Sequence, residues 1–177
     1  MKKSGFTLIE LLVVIMIIGL VSTLAIVSLN SARERSRDAK RWSDIRTIQS
    51  AIELCINESP NPPAASATWN GLITQPCGSG RTMADFFASD SIPVPPTSDC
   101  DNPPTAGGDC YMYCQEVGTD NYVLFSSYEG SPPAGGLTGT IASYAPATEC
   151  ILSSDQRPTA LPDCDLVEGG TFCLGTL

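Results

Sequence analysis

From Leu11 to Leu29 the chain carries no charged side chain. Such a run is close to the roughly 20 residues that cross a bilayer as a helix. A secretory signal peptide has a shorter apolar core and ends at a small-residue cleavage site. Here the apolar run is longer and passes without a break into a second helical pattern. It reads as an anchor that stays on the mature chain.

From Ser28 to Asn57 that second pattern is amphipathic. Trp42, Ile45, Ile48, Ile52 and Cys55/Ile56 recur at spacings of three and four, which makes one apolar stripe on a helix. The function of such a stripe is packing, and its expected partner is a sheet. Lys40 and Asp44 form an i,i+4 pair expected on the wet side. Asn57-Glu58-Ser59-Pro60 ends the helix, because proline disfavours helical geometry in the residue before it. The expected helix therefore runs from Phe6 to about Asn57.

Charge is divided unevenly along the 177 residues. Up to Arg46 there are eight Lys/Arg and four Asp/Glu; from Thr47 onward there are two basic residues, Arg81 and Arg157, against fifteen acids. An acidic, nearly lysine-free body lacks the basic face that neutralises phosphates, so nucleic acid is not an expected partner. The mixed run from Ala32 to Arg41 reads first as a solvated helix face.

Eight cysteines stand at Cys55, Cys77, Cys100, Cys110, Cys114, Cys150, Cys164 and Cys173, none of them in the apolar segment. An even count in a body rich in Pro, Gly, Ser and Thr predicts a disulfide framework in an exported domain. Their connectivity is not readable from sequence. Structural zinc prefers closely spaced Cys/His pairs; the chain has no histidine and no Cys-x-x-Cys, so no metal is expected on the cysteines. Asp99, Asp101 and Asp109 cluster, and read as a solvated acidic loop rather than a hard-cation site.

Glu10 is the anomaly. A carboxylate in an apolar helix costs about 2.5–3.5 kcal/mol on insertion scales and is retained when it has a partner. A Glu near the membrane end can also reach headgroups. The surrounding string, Lys3-Ser4-Gly5-Phe6-Thr7-Leu8-Ile9-Glu10-Leu11-Leu12-Val13-Val14-Ile15, closely resembles the N-terminal signal of type IV prepilins and type II secretion pseudopilins, and the likeness continues through Gly19. The resemblance implies cleavage between Gly5 and Phe6 by a prepilin peptidase at the cytoplasmic face, and N-methylation of the new Phe6 terminus. It implies that Glu10 pairs with the N-terminal amine of another subunit. Pairing offsets much of the cost of burying either charge alone, and sets register more than it adds stability. One departure is plain: many family members carry a proline at the position of Val27, so a kink or local melting there is not expected.

The resemblance implies an α+β, type IV pilin-like fold: a long N-terminal helix packed on a small antiparallel β-sheet, with disulfide-rich loops. Its parts are a leader at 1–5, a transmembrane and filament-core helix at 6–29, an amphipathic continuation at 30–57, and an extracytoplasmic globular domain at 58–177. The flank after the apolar run carries more Lys/Arg than the flank before it, against the positive-inside rule. The cysteines and the cleavage signal nevertheless place the body outside. In a filament, the mixed run Ala32–Arg41 would make electrostatic contact with acidic bodies of neighbouring subunits.

In the body, Tyr111–Val117 and Tyr122–Tyr128 read as an antiparallel hairpin around Gly118–Asn121. A third strand is expected near Thr140–Tyr144, and a short helix at Arg81–Ser89 that buries Phe86 or Phe87. Ile92-Pro93, Tyr111-x-Tyr113 and Tyr122-Val-Leu-Phe-Ser-Ser-Tyr-Glu129 resemble the major pseudopilin pattern more weakly. That family binds calcium in the loop after these strands; here Gly130–Thr148 contains no Asp or Glu, so the site is not carried over. No constellation for catalysis is present in the sequence, and no cofactor is expected.

The expected function is a structural subunit of a pseudopilus in a type II secretion-like system. The alternatives are a surface type IV pilin for adhesion, motility or DNA uptake, and a membrane-tethered binding module that does not polymerise. Expected partners are copies of itself, other pilin-like subunits, the prepilin peptidase and an inner-membrane assembly platform. The expected location is the cytoplasmic membrane, crossed once, and then a periplasmic or surface filament.

Overall fold

The computed structural model describes residues 5–59, 62–65, 68–89, 91–96, 110–116, 119, 121–130, 149–154, 156–159, 164 and 171–176. The chain divides into two units, Met1–Ser36 and Arg37–Leu177. One helix, α1 (Leu8–Glu58), contributes to both.

α1 starts two residues later than Phe6 because Thr7 caps it. The Thr7 hydroxyl accepts the Glu10 N–H at 3.3 Å, while Glu10 Oε2 accepts the Thr7 N–H at 3.5 Å. This is the reciprocal arrangement of a capping box, which satisfies otherwise orphaned amides at a helix start. α1 is unbroken through Val27. In the first unit the described large apolar side chains of α1 lie open, from Leu8 at 82% exposed to Leu29 at 54%.

In the second unit the stripe does what its spacing predicts: Ile45, Ile48, Ile52 and Cys55 are fully buried, with Trp42 and Ile56 packed beside them. Short elements follow. A 3-10 turn spans Asn70–Thr74, β1 is Pro76–Gly78, β2 is Arg81–Thr82, and a second 3-10 turn spans Met83–Phe86. The helix expected at Arg81–Ser89 is thus a strand residue pair and one tight turn. Thr82 and Asp85 cap that turn, and Met83 and Phe87 are the side chains it buries.

The main sheet contains β3 (Tyr111–Gln115), β4 (Tyr122–Ser127), β5 (Cys150–Leu152) and β6 (Thr171–Thr176) in the antiparallel order β5-β3-β4-β6. The hairpin is present, its strands two and one residues shorter than expected. The strand expected at Thr140–Tyr144 lies outside the described residues. The outer positions of the sheet are held by β5 and β6, which the sequence did not announce.

Alternation along the strands builds two cores. Tyr111, Tyr113, Tyr122, Leu124, Ile151, Phe172 and Leu174 pack with the α1 stripe. Met112, Cys114, Val123, Phe125, Cys150, Leu152 and Cys173 make the core on the opposite face. Tyrosines stitch the first interface as well as filling it: Tyr111 donates to Asp44 at 2.9 Å and Tyr122 to Glu53 at 3.4 Å. Disulfides join Cys55–Cys77, Cys114–Cys150 and Cys164–Cys173. Cys110 is also disulfide-bonded, and Cys100 lies outside the described residues. Cys55–Cys77 ties the end of α1 to β1; Cys114 and Cys150 stand opposite each other in the β3–β5 ladder.

Candidate assembly site

Gly5 and Phe6 precede the helix and are exposed. Glu10 sits in the first turn of α1, where a carboxylate is favoured by the exposed N–H groups and the helix dipole. Its side chain is exposed and turned back on Thr7. The local geometry therefore keeps the carboxylate hydrogen-bonded within its own chain, one turn from the Gly5–Phe6 bond. Thr7 is the residue that sequence reasoning passed over, although Thr-x-x-Glu is a capping signature by itself.

Further along α1, the mixed charge run is not simply a wet face. Arg41 is 2% exposed. Its guanidinium donates to Asp38 Oδ1 at 2.5 Å and to Glu129 Oε1 at 2.7 Å. Arg37 forks onto the same Glu129, with Nε at 2.7 Å from Oε1 and Nη2 on Oε2. Asp38 in turn accepts the backbone N–H groups of Glu129, at 3.1 Å, and Gly130, at 2.8 Å. Two arginines and two carboxylates thus clasp the chain just after β4 to the helix. Hydrogen bonds from Arg37, then from Arg41, outweigh burial and hold the Glu129 carboxyl at about 2, below its ordinary 4.5.

Two further cations of the second unit, Lys40 and Arg157, are also engaged. Lys40 pairs with Asp44, as its spacing predicts, but Asp44 also takes the Tyr111 hydroxyl, so that pair lies at the edge of the helix–sheet interface. Arg157 donates to the Cys150 carbonyl at 2.6 Å and the Ala65 carbonyl at 3.2 Å, which covers the open edge of β5. Among the described residues no group of three Asp, Glu, Cys or His side chains is placed to hold a metal ion. Asp99, Asp101 and Asp109 lie outside those residues.

A long capped helix, apolar toward its N-terminus and packed through its later stripe on a small antiparallel sheet with disulfides, is a type IV pilin-like α+β fold. Residues 1–26 match the family model described as the prokaryotic N-terminal methylation motif. The chain is similar to the type II secretion system core protein G of Pectobacterium carotovorum subsp. carotovorum, with 31% identity over 75 residues, 42% of this chain and 48% of that protein. The core protein G of Escherichia coli (strain K12) is also 31% identical over 75 residues, 52% of its length. The type IV major fimbrial protein FimA of Dichelobacter nodosus is 32% identical over 69 residues, 39% of this chain and 44% of FimA. The chain spans about half the length of the curated relatives it matches. No solved structure matches it significantly.

Proposed function

We propose that this chain is a structural, non-catalytic subunit of a pseudopilus in a type II secretion-like system. One observation carries the reading: a motif-bearing N-terminus opens an unbroken helix whose described large apolar side chains between Leu8 and Leu29 lie exposed. Exposed apolar surface of that extent needs lipid before assembly and other helices after it. In this reading residues 1–5 are a leader removed at Gly5 by a prepilin peptidase, and Phe6 becomes the N-methylated amine. Segment 6–29 spans the membrane once and then lines the filament core. Segment 30–57 continues the helix, and 58–177 is the extracytoplasmic body. Glu10 exchanges its hold on Thr7 for the amine of a neighbouring copy. An inner-membrane platform and other pilin-like subunits complete the assembly.

A surface pilin is the second reading, favoured by the similarity to FimA and by a body with eight cysteines. Immunogold electron microscopy of expressing cells separates the two. Short envelope-bound structures are the expected result; long labelled fibres establish the surface pilin, and diffuse membrane label refutes both. Intact-mass measurement of the mature chain checks processing: loss of Met1–Gly5 with one added methyl group is expected.

A further inference from the structure

Eight Lys/Arg side chains stand among the described residues, and six of them are engaged within the chain. Arg33 and Arg35 are different. Both are exposed, and neither has an ion pair, hydrogen bond or ring contact among the described residues. They stand two positions apart on α1, about 200° around the helix at 3.6 residues per turn. One partner surface cannot take both. Residues 37–177 hold six basic and seventeen acidic side chains, so the chain beyond these arginines is strongly anionic. Glu53 and Asp85 are exposed carboxylates of that body with no cation partner among the described residues.

We propose that Arg33 and Arg35 dock onto carboxylates on the bodies of two different neighbouring copies of this chain, one on each side of the helix. The inference rests on the filament reading and specifies its lateral contacts. Charge complementarity selects the occupant. Every copy carries two cations, unpaired among the described residues, ahead of a body with an excess of anions, and a polymer of identical copies brings the two together at every subunit. Single exposed pairs are weak and screened by salt, but here each is repeated along the whole assembly. They would favour a staggered arrangement over one that aligns like with like.

The test places a photo-crosslinking amino acid at position 33 or 35 of the full chain, co-expressed with unmodified chain and prepilin peptidase. Irradiated adducts are then identified by mass spectrometry. Adducts with peptides from residues 47–177 of another copy are expected from both positions. Adducts only with lipid headgroups, or only with other proteins, overturn the proposal. In parallel, in chains without the crosslinker, Arg33→Glu/Arg35→Glu is expected to lower the yield of immunogold-labelled filaments, envelope-bound or extended, about fivefold or more, and Arg33→Lys/Arg35→Lys to retain most of it. Unchanged yields from the glutamate variant overturn it. Fibre formation by the wild-type chain is read separately. Copy-to-copy adducts with only diffuse membrane label support the contact while refuting the filament reading; labelled filaments without body adducts do the reverse.

Discussion

Glu129 Oε1 lies 2.7 Å from Arg41 Nη2, and that arginine is almost wholly out of water. The carboxylate is therefore the counter-charge of a buried cation, and its protonation has a defined effect. Its carboxyl lies at about 2 in the folded chain against an ordinary 4.5, so folding favours the ionised form. The stabilisation is fully present above pH 4.5 and is lost as pH falls from there toward 2. Thermal unfolding of the detergent-solubilised chain is expected to show a falling midpoint across that window, shallower in Glu129→Gln. An equal slope in the variant would place the acid sensitivity elsewhere.

Glu129→Gln itself removes the charge that both Arg37 and Arg41 face, while Asp38 still faces Arg41. Hydrogen bonds to charged groups contribute roughly 1.5–3 kcal/mol each, and the remaining Asp38 holds the loss to about 2–3 kcal/mol. Denaturant unfolding at neutral pH checks the figure. Arg37→Gln, which leaves the buried arginine paired with both carboxylates, is expected to lose about 1 kcal/mol or less, because Arg37 is partly exposed.

The clasp was legible in a pattern that charge obscured. Asp38, Arg41, Ile45, Ile48, Ile52 and Cys55 continue one spacing of three and four, so the buried stripe begins seven residues before its first isoleucine. A stripe defined by apolar residues alone stops at Trp42 and assigns the charged turn to water. Pairing partners decide otherwise, and Glu129 is 88 positions from Arg41. The hairpin was readable because Tyr111–Val117 and Tyr122–Tyr128 have strand composition on either side of the turn Gly118–Asn121. β5 and β6 were not, since Cys-Ile-Leu is too short to show a period. Thr-Phe-Cys-Leu-Gly-Thr alternates weakly and holds a glycine at φ 151°. At the N-terminus the family signal is clear, and Thr7, three residues before Glu10, is the partner that its carboxylate takes within the chain.

Cys55 and Cys77 close a separation of 22 residues between the end of α1 and β1. Chain-entropy arguments give such a cross-link roughly 3 kcal/mol. Cys55→Ser/Cys77→Ser is expected to lower stability by about 2–4 kcal/mol and to make the 70–89 region the first to exchange amide hydrogens. Hydrogen exchange with mass spectrometry reads both. Protection in that region equal to wild type would show that the apolar contacts of Leu72 and Met83 suffice without the bridge.

Tyr122 and Tyr128 hold their hydroxyls among buried surroundings, and both titrate well above the ordinary 10.0. Burial is the main cause for each, joined by Glu53 for Tyr122 and by Asp38 for Tyr128. A raised folded-state value favours the protonated form, so this stabilisation is intact below pH 10 and declines as pH rises beyond it. Ultraviolet titration of the folded chain is expected to leave Tyr122 and Tyr128 silent until alkaline unfolding releases them together. Smooth ionisation of all five tyrosines near pH 10 would contradict the packing of the helix on the sheet.

Gly78 and Gly80 flank the tight turn between β1 and β2, and both have positive φ, at 86° and 76°. They differ in what surrounds them. A Cβ on Gly78 would come within 2.5 Å of the Glu58 carbonyl oxygen, whereas one on Gly80 would meet open space. Gly80→Ala is therefore expected to cost only the left-handed backbone penalty, roughly 1–2 kcal/mol. Gly78→Ala adds a clash with the last turn of α1 next to the Cys55–Cys77 bridge, and overpacking of this kind costs about 1–3 kcal/mol more. Unfolding of the two variants side by side isolates the steric part, because the backbone part is shared. Equal losses would mean that the helix end yields freely, and that the disulfide rather than the glycine fixes the approach of β1 to α1.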